Sequence, residues 1–120
     1  MLDSAHSARM EAAEVGPNRF VVTANGALDH DAALELRDLL LPLIAADGAH
    51  IVVDLAGVTS LHDASLRVVA SAAILAHEHG EHPLVVVNKD PWIHHMLVAS
   101  GLEKMVQMER TLEEGIAHVS

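Results

Sequence analysis

Four residues between positions 60 and 65 carry side chains that can move a proton or accept a phosphoryl group. Ser60 and Ser65 have hydroxyls, His62 can act as a base near neutral pH, and Asp63 has a carboxylate. A serine hydrolase needs these groups in mutual reach, and close neighbours along one chain rarely achieve that geometry. The chain also lacks the G-x-S-x-G, P-loop and G-x-G-x-x-G patterns. We therefore predict that the chain is not an enzyme and that none of these residues is catalytic.

Histidine is frequent in this chain, with ten residues, and its imidazole ring could bind a metal. The clusters are His77, His79 and His82, and the pair His94 and His95. Their spacing differs from the i, i+4 pair of zinc-binding helices. Histidines near the end of a helix are stabilised by the negative pole of its dipole. We expect solvated histidines, no metal site and no cofactor.

The segment around Ser60 is flanked by a predicted strand and a predicted helix. Ile51–Leu55 is a short β-branched run of the kind that forms a strand covered on both faces. Ala56–Leu61 is expected to be a loop across the end of this strand, and Asp63 is expected to be the N-cap of the helix. An apolar stripe at helical spacing identifies that helix: Leu66, Val69, Ala70, Ala73 and Ile74. The polar segment then lies at the positive end of a helix, either as an ordinary cap or as a functional loop.

The remaining elements alternate in the order expected of parallel α/β pairing. Arg9–Val15 is predicted to be an edge strand that pairs antiparallel with Arg19–Ala24. A helix capped by Asp29 or Asp31 follows, in which Pro42 predicts a bend or an early end. The later segments are a strand, a helix, a short strand and a terminal helix: Leu84–Val87, a helix that begins at Lys89–Pro91, Lys104–Met108 and Thr111–Val119. We expect one domain over residues 9–120, after a disordered tail over residues 1–8.

The motifs of the central region resemble those of the STAS domain of bacterial anti-anti-sigma factors, also called anti-sigma factor antagonists. The resemblance is carried by the following residues, and it extends from Arg9 to Val119: Asp54, Leu55, Val58, Asp63, Ser65 and Leu66–Val68, with Gly26–Asp29, Leu84–Asn88, Leu97, Gly101 and Leu102. It implies an α/β, STAS-like (SpoIIAA-like) fold. Such a fold is a single mixed β-sheet of four to five strands packed against about four helices.

The resemblance also implies capture of an anti-sigma factor/serine kinase through the loop and N-terminus of the second helix. The implied partner-binding residues are Ser60, His62, Asp63, Ala64, Ser65, Arg67 and Asp29. Switching members of the family are phosphorylated on a Ser or Thr directly after the Asp, where this chain has Ala64. An alignment shifted by one residue gives the hydroxyl to Ser65, and Ser60 is the other phosphorylation candidate. The alternative is a non-phosphorylated STAS scaffold subunit, either of a transport complex of lipid-transport type with a transporter ATPase subunit as partner, or of a stress-signalling assembly.

Composition excludes several classes of partner. Seven Lys and Arg residues against seventeen acidic residues give a net charge of −10, and Phe20 and Trp92 are the only Phe, Tyr or Trp residues. Such a chain can neither neutralise many phosphates nor stack on bases, so we expect no nucleic-acid partner. The acidic surface should instead steer the protein toward a basic partner face. No apolar run is long enough to span a bilayer and there is no cysteine, so we expect a cytoplasmic protein without direct membrane insertion. Homodimer formation is left open.

Overall fold

Strands and helices alternate along the chain in the computed structural model, which describes residues 8–46, 48–79 and 82–119. The elements of the first half are β1 (Arg9–Gly16), β2 (Arg19–Leu28), α1 (His30–Ala45), β3 (His50–Leu61) and α2 (Asp63–His79). The second half contains β4 (Leu84–Val87), α3 (Pro91–Ala99), a 3-10 turn (Leu102–Lys104), β5 (Val106–Glu109) and α4 (Leu112–Val119). Of the predicted tail, residues 1–7 lie outside the described residues, and Ala8 is buried.

The strands of the described residues form one sheet in the order β1-β2-β3-β4-β5. β1 pairs antiparallel with β2 through a tight turn at Pro17–Asn18, where Asn18 has a φ of 59°. The pairs β2–β3, β3–β4 and β4–β5 are parallel, and a helix connects the two strands of each pair. This single mixed sheet confirms the predicted α/β class. Because parallel strands end at the same edge of a sheet, α1, α2 and α3 all begin at that edge.

The helices divide between the two faces of the sheet. Buried residues of α1, α2 and α3, such as Leu36, Val69 and Leu97, share one core with one face of the strands. On the other face Val119 of α4 packs against four valines of β2, β3 and β4: Val21, Val52, Val85 and Val87. The central strands are therefore covered on both sides, which explains their continuous apolar sequences.

α1 shows how a proline is tolerated near the end of a helix. The early end predicted at Pro42 is wrong, because α1 continues to Ala45. Ile44 beyond the proline is buried, and packing of that last turn outweighs the backbone bond that proline cannot make. At the other end Asp29, not Asp31, is the N-cap, and its carboxylate accepts the N–H of Ala32 at 2.9 Å.

Candidate functional site

β2 and β3 are both longer than predicted, and their additional residues lie beside the predicted site residues. The loop predicted at Ala56–Leu61 is wrong, since these residues form the second half of β3. Ser60 pairs with Ala27 of β2, beyond two register shifts that accommodate the ends of the strands. Only His62 separates β3 from α2. The segment therefore belongs to the sheet, and backbone pairing fixes its position.

Asp63 is the first residue of α2, not the N-cap that the sequence predicts. The cap position belongs to His62, whose carbonyl oxygen accepts the N–H groups of Ser65 at 3.0 Å and Leu66 at 3.1 Å. The helix begins one residue early because β3 extends to Leu61 and leaves a single connecting residue. The Asp63 carboxylate is exposed in the first turn, where the helix dipole stabilises negative charge.

Ser65 points into the protein. It is completely buried, and its hydroxyl donates a hydrogen bond to the carbonyl oxygen of Leu28 at 3.0 Å. The carbonyl oxygen of Asp29 is a second, more distant acceptor for this hydroxyl, at 3.5 Å. Ser60, the other predicted phosphorylation candidate, is exposed, and Ala64 is half-buried. Of the two candidate hydroxyls, only that of Ser60 faces solvent.

The buried face of α2 is rotated relative to the predicted apolar stripe. Ile74 of the predicted stripe is 45% exposed, and Leu66 and Ala70 are only partly buried. The buried residues of α2 are mostly small: Ser65, Val69, Ala72, Ala73 and Ala76. Their small side chains let the helix lie close to its neighbours, so the largest apolar residues do not mark the inner face.

An exposed group of predicted site residues lies where β2 and β3 end, and we call it the polar corner: Asp29, Ser60, His62, Asp63 and Arg67. The backbone N–H of His62 donates to the carbonyl oxygen of Leu28 at 3.0 Å, which holds the start of α2 against the start of α1. The structure therefore brings Asp29 to the same edge as the residues from 60 to 67. Ala64 is half-buried, and Ser65 lies beneath the corner.

The side chains of the polar corner are not linked to one another as those of a catalytic triad are. Within the described ranges no hydrogen bond joins the side chains of Ser60, His62 and Asp63, and the Ser65 hydroxyl donates to a backbone carbonyl that cannot activate it. Residues 8–46, 48–79 and 82–119 contain no group of three or more His, Cys, Asp or Glu side chains that could hold a metal ion. The corner can instead supply hydrogen bonds and charge to a contact surface.

A second polar junction, at the start of α3, was not among the predicted site residues. Asn88 is buried after β4, and its side-chain amide donates to the Asp90 carbonyl and accepts the Asp90 N–H, both at 3.1 Å. The Asp90 carboxylate caps α3 by accepting the N–H of Trp92 at 2.8 Å. Trp92 itself is 67% exposed. The sequence signal is an Asp–Pro pair two residues after the end of a predicted strand, which is typical of the start of a helix.

An open hollow of about 570 Å³ lies beyond this junction, beside the start of α4. Its lining includes Lys89 and Arg110 but also Glu113 and Glu114, so its charge selects neither anions nor cations. In the part of the chain that the structure describes, no helix combines the length and the apolar character that crossing a membrane requires.

Residues 11–107, from β1 to β5, match the family model described as "Mlab, STAS domain". The chain belongs to the STAS domain family. This match confirms the resemblance seen in the sequence motifs of the STAS domain. A search of functionally curated proteins finds no match.

Solved structures share the fold of this STAS domain. An anti-sigma factor antagonist from Mycobacterium paratuberculosis is 24% identical, with 98% of both chains covered and a TM-score of 0.82. The anti-sigma factor antagonist SpoIIAA of Bacillus, in its unphosphorylated form, is 19% identical over 92% of this chain and 96% of that one, with a TM-score of 0.77. A serine-to-glutamate variant of RsbS from Moorella thermoacetica is 20% identical over 92% and 94% of the chains, with a TM-score of 0.78. The SpoIIAA-like fold predicted from the sequence is confirmed.

Proposed function

We propose that this STAS domain is an anti-sigma factor antagonist-like regulatory binding module whose polar corner captures an anti-sigma factor/serine kinase. The observation that carries the proposal is the position of Asp63, exposed in the first turn of α2 and next to a strand that pairs up to Leu61. A contact surface formed in advance loses little conformational entropy on binding. Two solved relatives are named anti-sigma factor antagonists, which supports the same class of partner.

The charge of the chain supports a partner with a basic contact face. The chain carries a net charge of −10, and Asp29 and Asp63 are both exposed at the polar corner, where Arg67 is the only Lys or Arg residue. Opposite charges on the two partners speed association and discriminate against acidic competitors. Salt screens this attraction, so the association rate should fall as ionic strength rises.

The burial of Ser65 bears on the phosphorylation switch. A kinase must reach the hydroxyl that it modifies, yet Ser65 is completely buried with its hydroxyl bonded to Leu28, and Ala64 has no hydroxyl. We therefore assign the role of phosphorylation candidate to the exposed Ser60. Capture of the partner by the polar corner does not itself require this modification.

The same two observations, Ala64 and the buried Ser65, favour a second candidate function. In this function the chain is a non-phosphorylated STAS scaffold subunit of a transport complex of lipid-transport type, or of a stress-signalling assembly. Its contact would be a transporter ATPase subunit or a signalling protein, held by the same corner without a switch.

Affinity purification of the full chain from its native cells, with mass spectrometry of bait and companions, distinguishes the candidates. An anti-sigma factor kinase recovered in roughly equal amount supports the first function, and phosphate on Ser60 supports its switch. A transporter ATPase subunit, or a stress-signalling protein with no modified serine, supports the second. Recovery of none of these proteins would contradict both functions.

A charge reversal tests the polar corner itself. We expect Asp63→Lys to reduce recovery of the partner by about tenfold or more, because it places a cation against a basic face. Glu78→Lys makes the same change at an exposed position near the other end of α2, and should leave recovery unchanged. Equal recovery by both variants would remove the polar corner from the interface.

A further inference from the structure

Trp92 is the only tryptophan of the chain and one of its most exposed apolar side chains, at 67% relative exposure. Tryptophan is highly buried on average, because its indole ring contributes a large apolar area. It is also among the residues most enriched in the centres of protein–protein interfaces. A largely exposed indole therefore requires an explanation in terms of what covers it.

The backbone that carries the exposed Trp92 is held in place by hydrogen bonds at the start of α3. Pro91 begins α3, and the Asp90 carboxylate accepts the Trp92 N–H at 2.8 Å and the Ile93 N–H at 3.4 Å. The buried Asn88 amide holds Asp90 through two further bonds. On the other side the Trp92 ring stacks with His95, with the ring centroids 5.9 Å apart. The indole is thus presented to solvent on a fixed backbone, so little entropy is lost when a partner covers it.

The helix period places Trp92 on the side of α3 where α2 lies. β3 and β4 are adjacent and parallel, so α2 and α3 begin at the same edge of the sheet. His94 on α3 lines a hollow together with Arg110, which directly follows β5. Trp92 is two residues before His94, about 200° away around the helix axis. It therefore lies on the side of α3 away from β5, which is the side on which α2 lies.

We propose that Trp92 is the apolar anchor of the partner interface, and that the partner receives its indole ring in an apolar pocket rimmed by Lys or Arg. This inference rests on the proposed function, because the partner is the protein captured by the polar corner. Aspartates stand at the starts of all three helices at this edge: Asp29, Asp63 and Asp90. A basic rim would meet these carboxylates and could also lie over the indole face as a cation–π contact.

The acidic charge of the chain argues against two other occupants. A second copy carries the same net charge of −10, and like charges across an interface oppose association. An anionic membrane surface would repel a chain of this net charge for the same reason, since anionic lipid headgroups attract basic segments. A basic protein surface is the occupant that both the indole ring and the aspartates fit.

The test uses the full chain labelled with 5-fluorotryptophan, which gives a single fluorine resonance because there is one tryptophan. The titrant is the protein recovered with the wild-type chain in the affinity purification. We expect the resonance to shift on binding, and Trp92→Ala to weaken the complex about thirtyfold, the effect of a hot-spot residue. Met105→Ala removes an apolar side chain that is 37% exposed near β5, and should bind as the wild type does.

The outcomes separate this inference from the proposed function. If Asp63→Lys weakens binding while Trp92→Ala does not, the anchor is refuted and the polar corner remains. If neither variant matters, or if no partner is recovered, both ideas fail together. A resonance that shifts with the concentration of the chain alone would assign the indole to a second copy and overturn the proposal. Circular dichroism melting of Trp92→Ala checks that any loss of binding does not come from unfolding.

Discussion

The Ser65 hydroxyl donates a hydrogen bond to the carbonyl oxygen of Leu28 at 3.0 Å, and both residues are completely buried. This bond joins the first turn of α2 to the end of β2, two segments that are 37 positions apart in the sequence. Ser65, which looks like part of a surface motif in the sequence, thus stabilises the fold through a buried hydrogen bond beneath the polar corner. Its substitution should change stability before it changes recognition.

Ser65→Ala should lower the free energy of unfolding by about 1 kcal/mol, the usual net worth of one hydrogen bond. The Leu28 carbonyl keeps the N–H of His62 as a donor, so no acceptor is left unpaired and the cost stays modest. Urea unfolding followed by circular dichroism measures the change. Ser60→Ala, at the exposed candidate, is the matched control and should stay within about 0.5 kcal/mol of the wild type. Equal stability of the two variants would show that the buried bond contributes nothing.

Gly115→Ala tests the close approach of α4 to the sheet. An added Cβ would lie 2.7 Å from Val87 Cγ2 and 3.2 Å from Val52 Cγ1, too close for either methyl group to remain in place. We expect a loss of about 1–3 kcal/mol in urea unfolding, as for other overpacked cores. Helix propensity alone would change stability in the opposite direction by about 1 kcal/mol. A more stable Gly115→Ala variant would therefore contradict the packing, and Val87→Ala in the same chain should restore much of the loss.

Asp29→Ala removes the N-cap of α1 and should cost about 1 kcal/mol in urea unfolding. The reason is the loss of the acceptor for the Ala32 N–H, which the carboxylate meets at 2.9 Å. Asp29→Asn keeps a side-chain oxygen and removes only the charge, so it should remain close to the wild type. If both substitutions cost the same, charge at the start of the helix, and not the hydrogen bond, would be the stabilising feature.

His50 should make the fold less stable in mild acid. It stacks on His82 with ring centroids 3.6 Å apart, and burial, followed by the charges of His82 and Arg19, lowers the pKa of His50 below its usual 6.5. Between that lowered pKa and 6.5 the unfolded chain binds more protons at this residue than the folded chain does. The free energy of unfolding should therefore fall as the pH falls through this window. Above pH 6.5 the titration of His50 should leave it unchanged.

Urea midpoints measured from about pH 7.5 to about pH 5 test this sign, because the window lies just below the usual histidine pKa. His50→Gln should show a weaker loss of stability toward low pH than the wild type. His30→Gln, at an exposed histidine of α1, controls for the removal of one histidine. An unchanged pH dependence in His50→Gln would show that other groups cause the loss.

The order of the elements could be predicted from the sequence because each carries a strong local signal. Leu84–Val87 is a continuous apolar run, while Pro91 and Gly101 mark the start and the end of the α3 region. The length of β3 could not be predicted in the same way. Its second half contains Gly57 and polar residues that look like a loop, and it becomes a strand because the distant end of β2 pairs with it.

The position of the candidate site could be predicted, but the direction of its side chains could not. Asp63 and His62 are exposed as a helix start suggests. The burial of Ser65 depends on a carbonyl acceptor supplied by Leu28, which no local pattern around residue 65 reveals. The place of Trp92 at the same sheet edge as the start of α2 could not be predicted, because it follows from the adjacency of β3 and β4 in the sheet.

The unequal cover of the two sheet faces has a consequence for how the chain folds during synthesis. α1, α2 and α3 are interleaved with the strands, so the face they cover is completed as the chain leaves the ribosome. Of the described helices, only α4 covers the valine face, and it follows the three other helices along the chain. Nascent chains that stall between β5 and α4 would therefore show a bare β-branched surface, which is the kind of species that chaperones bind and that aggregates.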